Sequence, residues 1–287
     1  MDKQANRQTP DVLFRPEQNE RALVADLANI PRYLFRVHAP STRGRTTNNE
    51  VTSVAALDEY DYATSDMLSW DFEDAADMLR DHLTSWSREG DNLMSWSSSF
   101  LFALHYALYH IARNATDNAS NTRIYVVDTM GMAVGSFLPD LGLIDYFVYW
   151  DSGAPPSMRL SKLQWLRRST EYNFGEYLCQ GTLSIAGRAT STSLQNLINH
   201  GLLGLVPELA EPNGRLELAK RVYSLREDLF SLPSRPTKVE TRTALVIAQG
   251  CFGQEWALPM MAALLSLRKR VRDGSGIQVM DLYGGQT

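Results

Sequence analysis

Tyr33-Leu34-Phe35-Arg36-Val37-His38, closed by Ala39-Pro40-Ser41, is the stretch from which the fold is read. Aromatic and β-branched residues fill it and a turn-like triplet ends it, so it reads as a strand. Alternation puts Tyr33, Phe35 and Val37 on one face and Leu34, Arg36 and His38 on the other. Arg36 therefore stands inside an otherwise apolar strand. Taken alone, that is the pattern of an edge residue facing solvent or a carboxylate.

Outward from this strand, residues 1–28 read as a loose arm with a short helix over 17–28. Residues 41–58 are polar, contain Gly, Ser, Thr and Asn, and read as loop. Residues 71–86 carry Phe72, Ala75, Met78, Leu79 and Leu83 at helical spacing, with Asp71 as N-cap. Residues 87–91 end that element. The serine-rich segment 92–99 leads straight into an apolar helix over Phe100–Arg113. Residues 123–129 give the strongest strand signal in the chain. Residues 140–150 read as a short helix or strand, Leu160–Arg168 as a helix and 176–185 as a further strand. After Gly187 the pattern is helical, over 193–203, 216–230 and 252–272, with 231–238 separating the last two. The faces carrying Leu216, Ala219, Val222 and Leu225, and Leu258, Met261, Leu264 and Leu265, are expected to pack on the main domain.

Strands separated by helices in non-periodic order point to an α+β fold more than to a doubly wound sheet. A dinucleotide-binding sheet needs a glycine fingerprint between strand and helix, and Gly131, Gly135 and Gly142 stand in the wrong context for one. The expected division is an arm over 1–28, an α+β domain over 29–187, a helical extension over 188–277 packed on it, and a frayed tail over 278–287.

Composition excludes several classes. A chain of 287 residues, 44% hydrophobic, buries a core without covalent staples. A net charge of −5 argues against a general nucleic-acid-binding surface. Two cysteines, Cys179 and Cys251, argue against a disulfide framework and a cysteine zinc site. The histidines show no metal-ligand spacing with carboxylates, so no metal is expected. The polar N-terminal stretch and the lack of a long apolar run point to an intracellular protein, cytoplasmic or nuclear, without membrane contact. The sequons at Asn114 and Asn118 then carry no consequence.

Three positions stand out: Arg36 in the first strand, Ser95-Trp96-Ser97 before the apolar helix, and Glu176 at the start of a strand. Each has a bland reading, as a surface residue or a helix cap. In this order they resemble the Arg-Ser-Glu signature of the ADP-ribosyltransferase superfamily. The helix after the serines carries Phe102-Ala103 and Tyr106-Ala107, as that family's does. The runs 31–38, 95–108 and 176–181 also look like an uncharacterised fungal domain family proposed to share this fold.

The resemblance implies a split β-sandwich with flanking helices, NAD as substrate, and cleavage of the nicotinamide–ribose bond by ADP-ribosyl transfer or hydrolysis. It implies Glu176 as the carboxylate beside the ribose, where an oxocarbenium-like charge develops. It implies Arg36 on the pyrophosphate, with the planar fork that anion recognition favours. Ser95 would orient Glu176, and Ser97 and His38 would help line the NAD site. Arginine-modifying members carry Glu or Gln two residues before the catalytic glutamate. Phe174 stands there here, after Glu171-Tyr172-Asn173, so Tyr172 and Phe174 become the candidates for substrate recognition, with water, another side chain or a nucleobase as acceptor.

Three alternatives stand beside this reading. One is a non-catalytic relative that binds a nucleotide or a protein. Another is an interaction module built on the C-terminal helices, where Arg268-Lys269-Arg270 reads as a solvated face. The last is a Ser-His-Asp hydrolase, against which stand the missing Gly-x-Ser-x-Gly elbow and the reading of His105 and His110 as core residues.

Overall fold

The computed structural model describes residues 10–84, 89–151, 153–211 and 218–271. In chain order the elements are α1 (Arg21–Leu27), β1 (Tyr33–His38), β2 (Arg45–Thr46), β3 (Glu50–Thr52), α2 (Val54–Leu57), α3 (Phe72–Thr84), β4 (Leu93–Ser97) and α4 (Phe100–Arg113). They continue with β5 (Arg123–Asp128), β6 (Leu138–Pro139), α5 (Asp140–Phe147), α6 (Leu160–Arg168), β7 (Glu176–Gln180), β8 (Thr182–Ser184) and β9 (Ala189–Ser193). The helical part holds α7 (Leu194–Asn199), α8 (Leu202–Leu205), α9 (Ala219–Ser231), α10 (Lys238–Phe252) and α11 (Ala257–Leu265).

The fold is α+β, with a six-stranded sheet ordered β6-β7-β4-β1-β5-β9 and a three-stranded sheet ordered β2-β3-β8. All pairings within the two sheets are antiparallel. β1 is sealed to β5 along its whole length, from Tyr33↔Asp128 to His38↔Arg123. On its other side β1 meets β4 at one register pair only, Phe35↔Ser97. Past that pair the two strands part, and the large sheet is open between them.

The strand expected over 176–185 is two strands in two sheets. Gly181, with φ +58°, makes the break, and a Cβ there would lie 2.5 Å from the carbonyl oxygen of Ala63. Only glycine takes that backbone without strain. The segment 41–58, expected as loop, holds β2, β3 and α2. Its polar composition hid a hairpin whose turn is closed by Thr47 N–H donating to Glu50 O at 2.8 Å, and whose Val51 is buried between the sheets.

One core joins the α4-side face of β1 to the C-terminal helices: Phe35, Val37, Leu104 and Leu108 pack with Leu197, Leu225, Ile247, Met261 and Leu264. A second lies under α3 and α5, and a third, with Leu34, Met94, Trp96, Val127 and Leu183, fills the space between the sheets. The helical extension thus shares its core with the α+β part, as the apolar faces of Val222, Leu225, Met261 and Leu264 predict. Leu258 departs from that expectation at 45% exposed.

The helical segment expected over 193–203 is broken at Gly201, with φ +102°, into α7 and α8. The helix expected over 252–272 is α11 alone. Phe252 instead ends α10, an unforeseen helix that starts with a capping box between Thr237 and Glu240. The expected loose arm is docked where described, with Val12, Phe14 and Leu23 buried and Phe14 N–H donating to Gly135 O at 2.9 Å. The beginning of that arm, the helix ends expected at 85–86, 216–217 and 272, and the tail 278–287 lie outside the described residues. No described helix is long and apolar enough to cross a membrane.

Candidate functional site

A cavity of about 450 Å³ opens where β1 and β4 part, within the roughly 300–1,000 Å³ usual for small-molecule sites. Arg36 from β1, Ser95 and Ser97 from β4 and Glu176 from β7 all line it. These residues converge because β7, β4 and β1 are neighbours in the sheet.

Arg36 reaches across the gap. Its Nη1 donates to the carbonyl oxygen of Ser95 at 2.7 Å and its Nε to Thr46 Oγ1, on the second sheet, at 3.0 Å. Burial pulls the guanidinium below its ordinary value, although it remains charged. The bond to Ser95 follows from strand geometry. Ser98 N–H donates to Gly175 O, and Gly181 N–H to Asn92 O, which fixes the pairs of the β4–β7 ladder that exchange hydrogen bonds. Ser95↔Leu178 is a pair of the other kind, so the N–H and C=O of Ser95 both point away from β7 toward β1. There the ladder has already ended, and Arg36 satisfies the carbonyl in place of a strand.

Glu176 is held by Arg167 of α6. Arg167 Nη2 donates to Glu176 Oε2 at 2.7 Å, its Nε to Asp140 Oδ2 at 2.6 Å, and its Nη1 to the Tyr172 carbonyl at 3.3 Å. Burial pushes the Asp140 carboxyl up, against the pull of Arg167 and with a further push from the charge of Glu176. Burial pulls Arg167 down, but the charges of Glu176 and Asp140 carry it above its ordinary value.

The hydroxyl of Ser95 does not meet Glu176, as the resemblance implied. It lies 2.8 Å from His82 Nε2, and His82 Nδ1 lies 2.7 Å from Asp91 Oδ2. His82 and Asp91 line the same cavity. Ser-His-Asp is therefore present as a hydrogen-bonded chain, without the sequence elbow expected of it and without His105 or His110. Burial pulls the His82 pKa down, yet the charge of and hydrogen bond to Asp91, with help from Glu176, carry it above its ordinary value against Arg36.

Ser97 is buried and its hydroxyl donates to the Phe174 carbonyl at 2.6 Å, which pins the loop before Glu176. Phe174 stacks on Phe102, with ring centroids 4.9 Å apart, and Phe102 stacks on Tyr106 at 5.6 Å. All three rings line the cavity. The Arg226 guanidinium lies over the Phe174 ring at 5.2 Å, and its Nη1 donates to Thr170 O.

Two expected site residues stand apart. His38 is edge-on to Tyr125 and does not line the cavity, because the alternation it shares with Arg36 carries it one step further along the strand. Tyr172 also lies outside the lining and contributes its carbonyl to Arg167. Among the described residues, no group of three or more His, Cys, Asp or Glu is placed to hold a metal ion.

A family model described as a domain of unknown function, DUF7587, matches residues 29–187, more than half of the chain. The chain belongs to this family. The DUF7587 match begins before β1 and ends before β9, so it spans Arg36, His82, Asp91, Ser95, Arg167 and Glu176. The cavity also takes Leu218 and Ala219 from beyond the DUF7587 segment. No curated protein and no solved structure matches the chain.

Proposed function

We propose that this cavity binds NAD and cleaves its nicotinamide–ribose bond, passing ADP-ribose to water or to an acceptor, on a fold of the ADP-ribosyltransferase type. The observation that carries the reading is the convergence of Arg36, Ser95 and Glu176, distant in sequence, on one cavity at the opening of the large sheet. The split sheet and the smaller sheet beside it suit a split β-sandwich.

Glu176 supplies the negative charge that an oxocarbenium-like ribose needs. Arg167, rather than Ser95, fixes its direction. Arg36 spends two N–H groups on Ser95 and Thr46 and offers the rest of its fork to a phosphate. The Phe174–Phe102–Tyr106 wall offers flat faces to the nicotinamide or adenine ring.

The grip of Arg167 on Glu176 favours one second reading, a non-catalytic nucleotide-binding relative, because a paired carboxylate has less charge to give the ribose. Purified chain with NAD separates the two. The enzyme reading expects nicotinamide release that falls by orders of magnitude in Glu176→Gln. NAD bound without release supports the binding module, and no binding overturns both readings.

A further inference from the structure

The NAD reading gives no task to His82 and Asp91, yet the two are aligned on Ser95 in the atom order of a nucleophile, a base and an orienting carboxylate. Ser95 Oγ meets His82 Nε2 at 2.8 Å, and His82 Nδ1 meets Asp91 Oδ2 at 2.7 Å. An ionised carboxylate only accepts, so the Nδ1 of neutral His82 carries the proton and Nε2 accepts from the Ser95 hydroxyl. Asp91 is itself fixed, since its Oδ1 accepts from Leu93 N–H at 2.9 Å.

The surroundings fit a developing oxyanion. The N–H of Ser95 points away from β7 into the gap, where β1 offers it no partner in register. Beside it, Arg36 keeps its Nη2 without a protein acceptor among the described residues. A backbone N–H and a guanidinium are donors that stabilise a tetrahedral intermediate. An aromatic wall borders the same cavity.

We propose that Ser95 is an activated nucleophile for acyl transfer, with His82 as its base and Asp91 as the orienting carboxylate, acting on a carboxylic ester with a flat, apolar acyl group. The Ser95 proton moves to His82 Nε2 as Oγ bonds to the carbonyl carbon, and the π electrons move onto the carbonyl oxygen. That oxyanion re-forms the carbonyl, the C–O bond to the alkoxide breaks, and His82 returns the proton to the departing alcohol. Water then repeats the sequence, giving a carboxylic acid and free Ser95. This activity stands independently of NAD.

The test is labelling of the full chain with a fluorophosphonate probe at mildly alkaline pH, above the raised value of His82 so that its imidazole is neutral, with the modified residue located by peptide mass spectrometry. The expected result is a phosphonyl group on Ser95, and a labelling rate lower by on the order of 100-fold in His82→Gln, the lower end of general-base contributions. Asp91→Asn, which keeps the shape of the carboxylate, is expected to slow labelling as well, and p-nitrophenyl benzoate is expected to show an acylation burst that Ser95→Ala abolishes. Absence of label on Ser95 in the folded wild-type chain overturns the proposal whatever the variants do. So does a label rate unchanged in a folded His82→Gln.

Discussion

The Arg36 guanidinium donates to the backbone carbonyl of Ser95 at 2.7 Å, at the point where β1 and β4 stop being a sheet. One side chain therefore does what a strand would do, and keeps donors for a ligand. Lysine cannot reproduce that planar fork. Arg36→Lys is expected to weaken NAD binding roughly tenfold, about the loss of one charge-assisted hydrogen bond. Isothermal titration of NAD into both proteins checks this, and equal affinities would sink the assignment of Arg36 to the phosphates.

Arg167 separates two carboxylates, Asp140 and Glu176, that have little solvent to fall back on. Removing it leaves them facing each other. Arg167→Ala is expected to destabilise the fold by about 3–5 kcal/mol at neutral pH, the range for breaking a buried pair. The loss should shrink as pH falls, because protonating Asp140, whose carboxyl already sits high, relieves the repulsion. Urea unfolding at pH 5 and pH 8 measures it, and a loss independent of pH would contradict the account.

His82 is held above its ordinary value of 6.5, which gives stability a pH signature. A base with a raised folded value stabilises the fold fully below the unfolded value, and that contribution disappears as pH rises through the folded one. The wild-type chain is thus expected to lose stability relative to His82→Gln on moving from the low sixes toward alkaline pH. Melting temperatures across pH 5.5–9 test this, and parallel curves would rule out the ion pair with Asp91.

Phe174 stands where the arginine-modifying enzymes that the sequence resembles carry a Glu or Gln, and its ring packs against Phe102 and the Arg226 guanidinium. A phenyl ring accepts no proton and forms no fork with guanidinium, and Arg226 adds a positive charge beside it. Agmatine supplied with NAD is expected to remain unmodified, with nicotinamide release unaffected. ADP-ribosyl-agmatine detected by mass spectrometry at rates matching nicotinamide release would reverse the acceptor assignment.

The helical part completes the core of the α+β part. Leu264 is 1% exposed in the cluster that contains Phe35 and Leu104. Leu264→Ala is expected to cost about 2–5 kcal/mol, and a chain ending at residue 187 to aggregate. A soluble, cooperatively melting fragment 1–187 would show the opposite.

β1 and α4 were legible as apolar runs, because β1 is buried on both faces and α4 around most of its circumference. α6 was legible from its spacing, although only Leu160 in it is fully buried. The hairpin at 45–52 was not, since its strands are two and three residues long, too short for alternation to register. Gly181 explains why one apparent strand is two, and its signal was only a glycine within a β run. Arg36, Ser95 and Glu176 were legible through a resemblance in order. His82, Asp91 and Arg167 were not, because a helix end, a loop and a second helix meet only in space. The Thr237–Glu240 capping box marks the start of α10 in the sequence, but the apolar run that follows it carries the stronger helical signal.

The cavity draws its lining from both sides of residue 187, where the family segment ends. The charged groups of the cavity, Arg36, His82, Asp91, Arg167 and Glu176 among them, lie within residues 29–187, whereas Leu218 and Ala219 line it from outside that segment and Arg226 backs it only through the Phe174 ring. The charge of the cavity and part of its apolar rim are thus written in different stretches of the chain. A relative that kept the first stretch and exchanged the second would hold the same charged groups under a different rim.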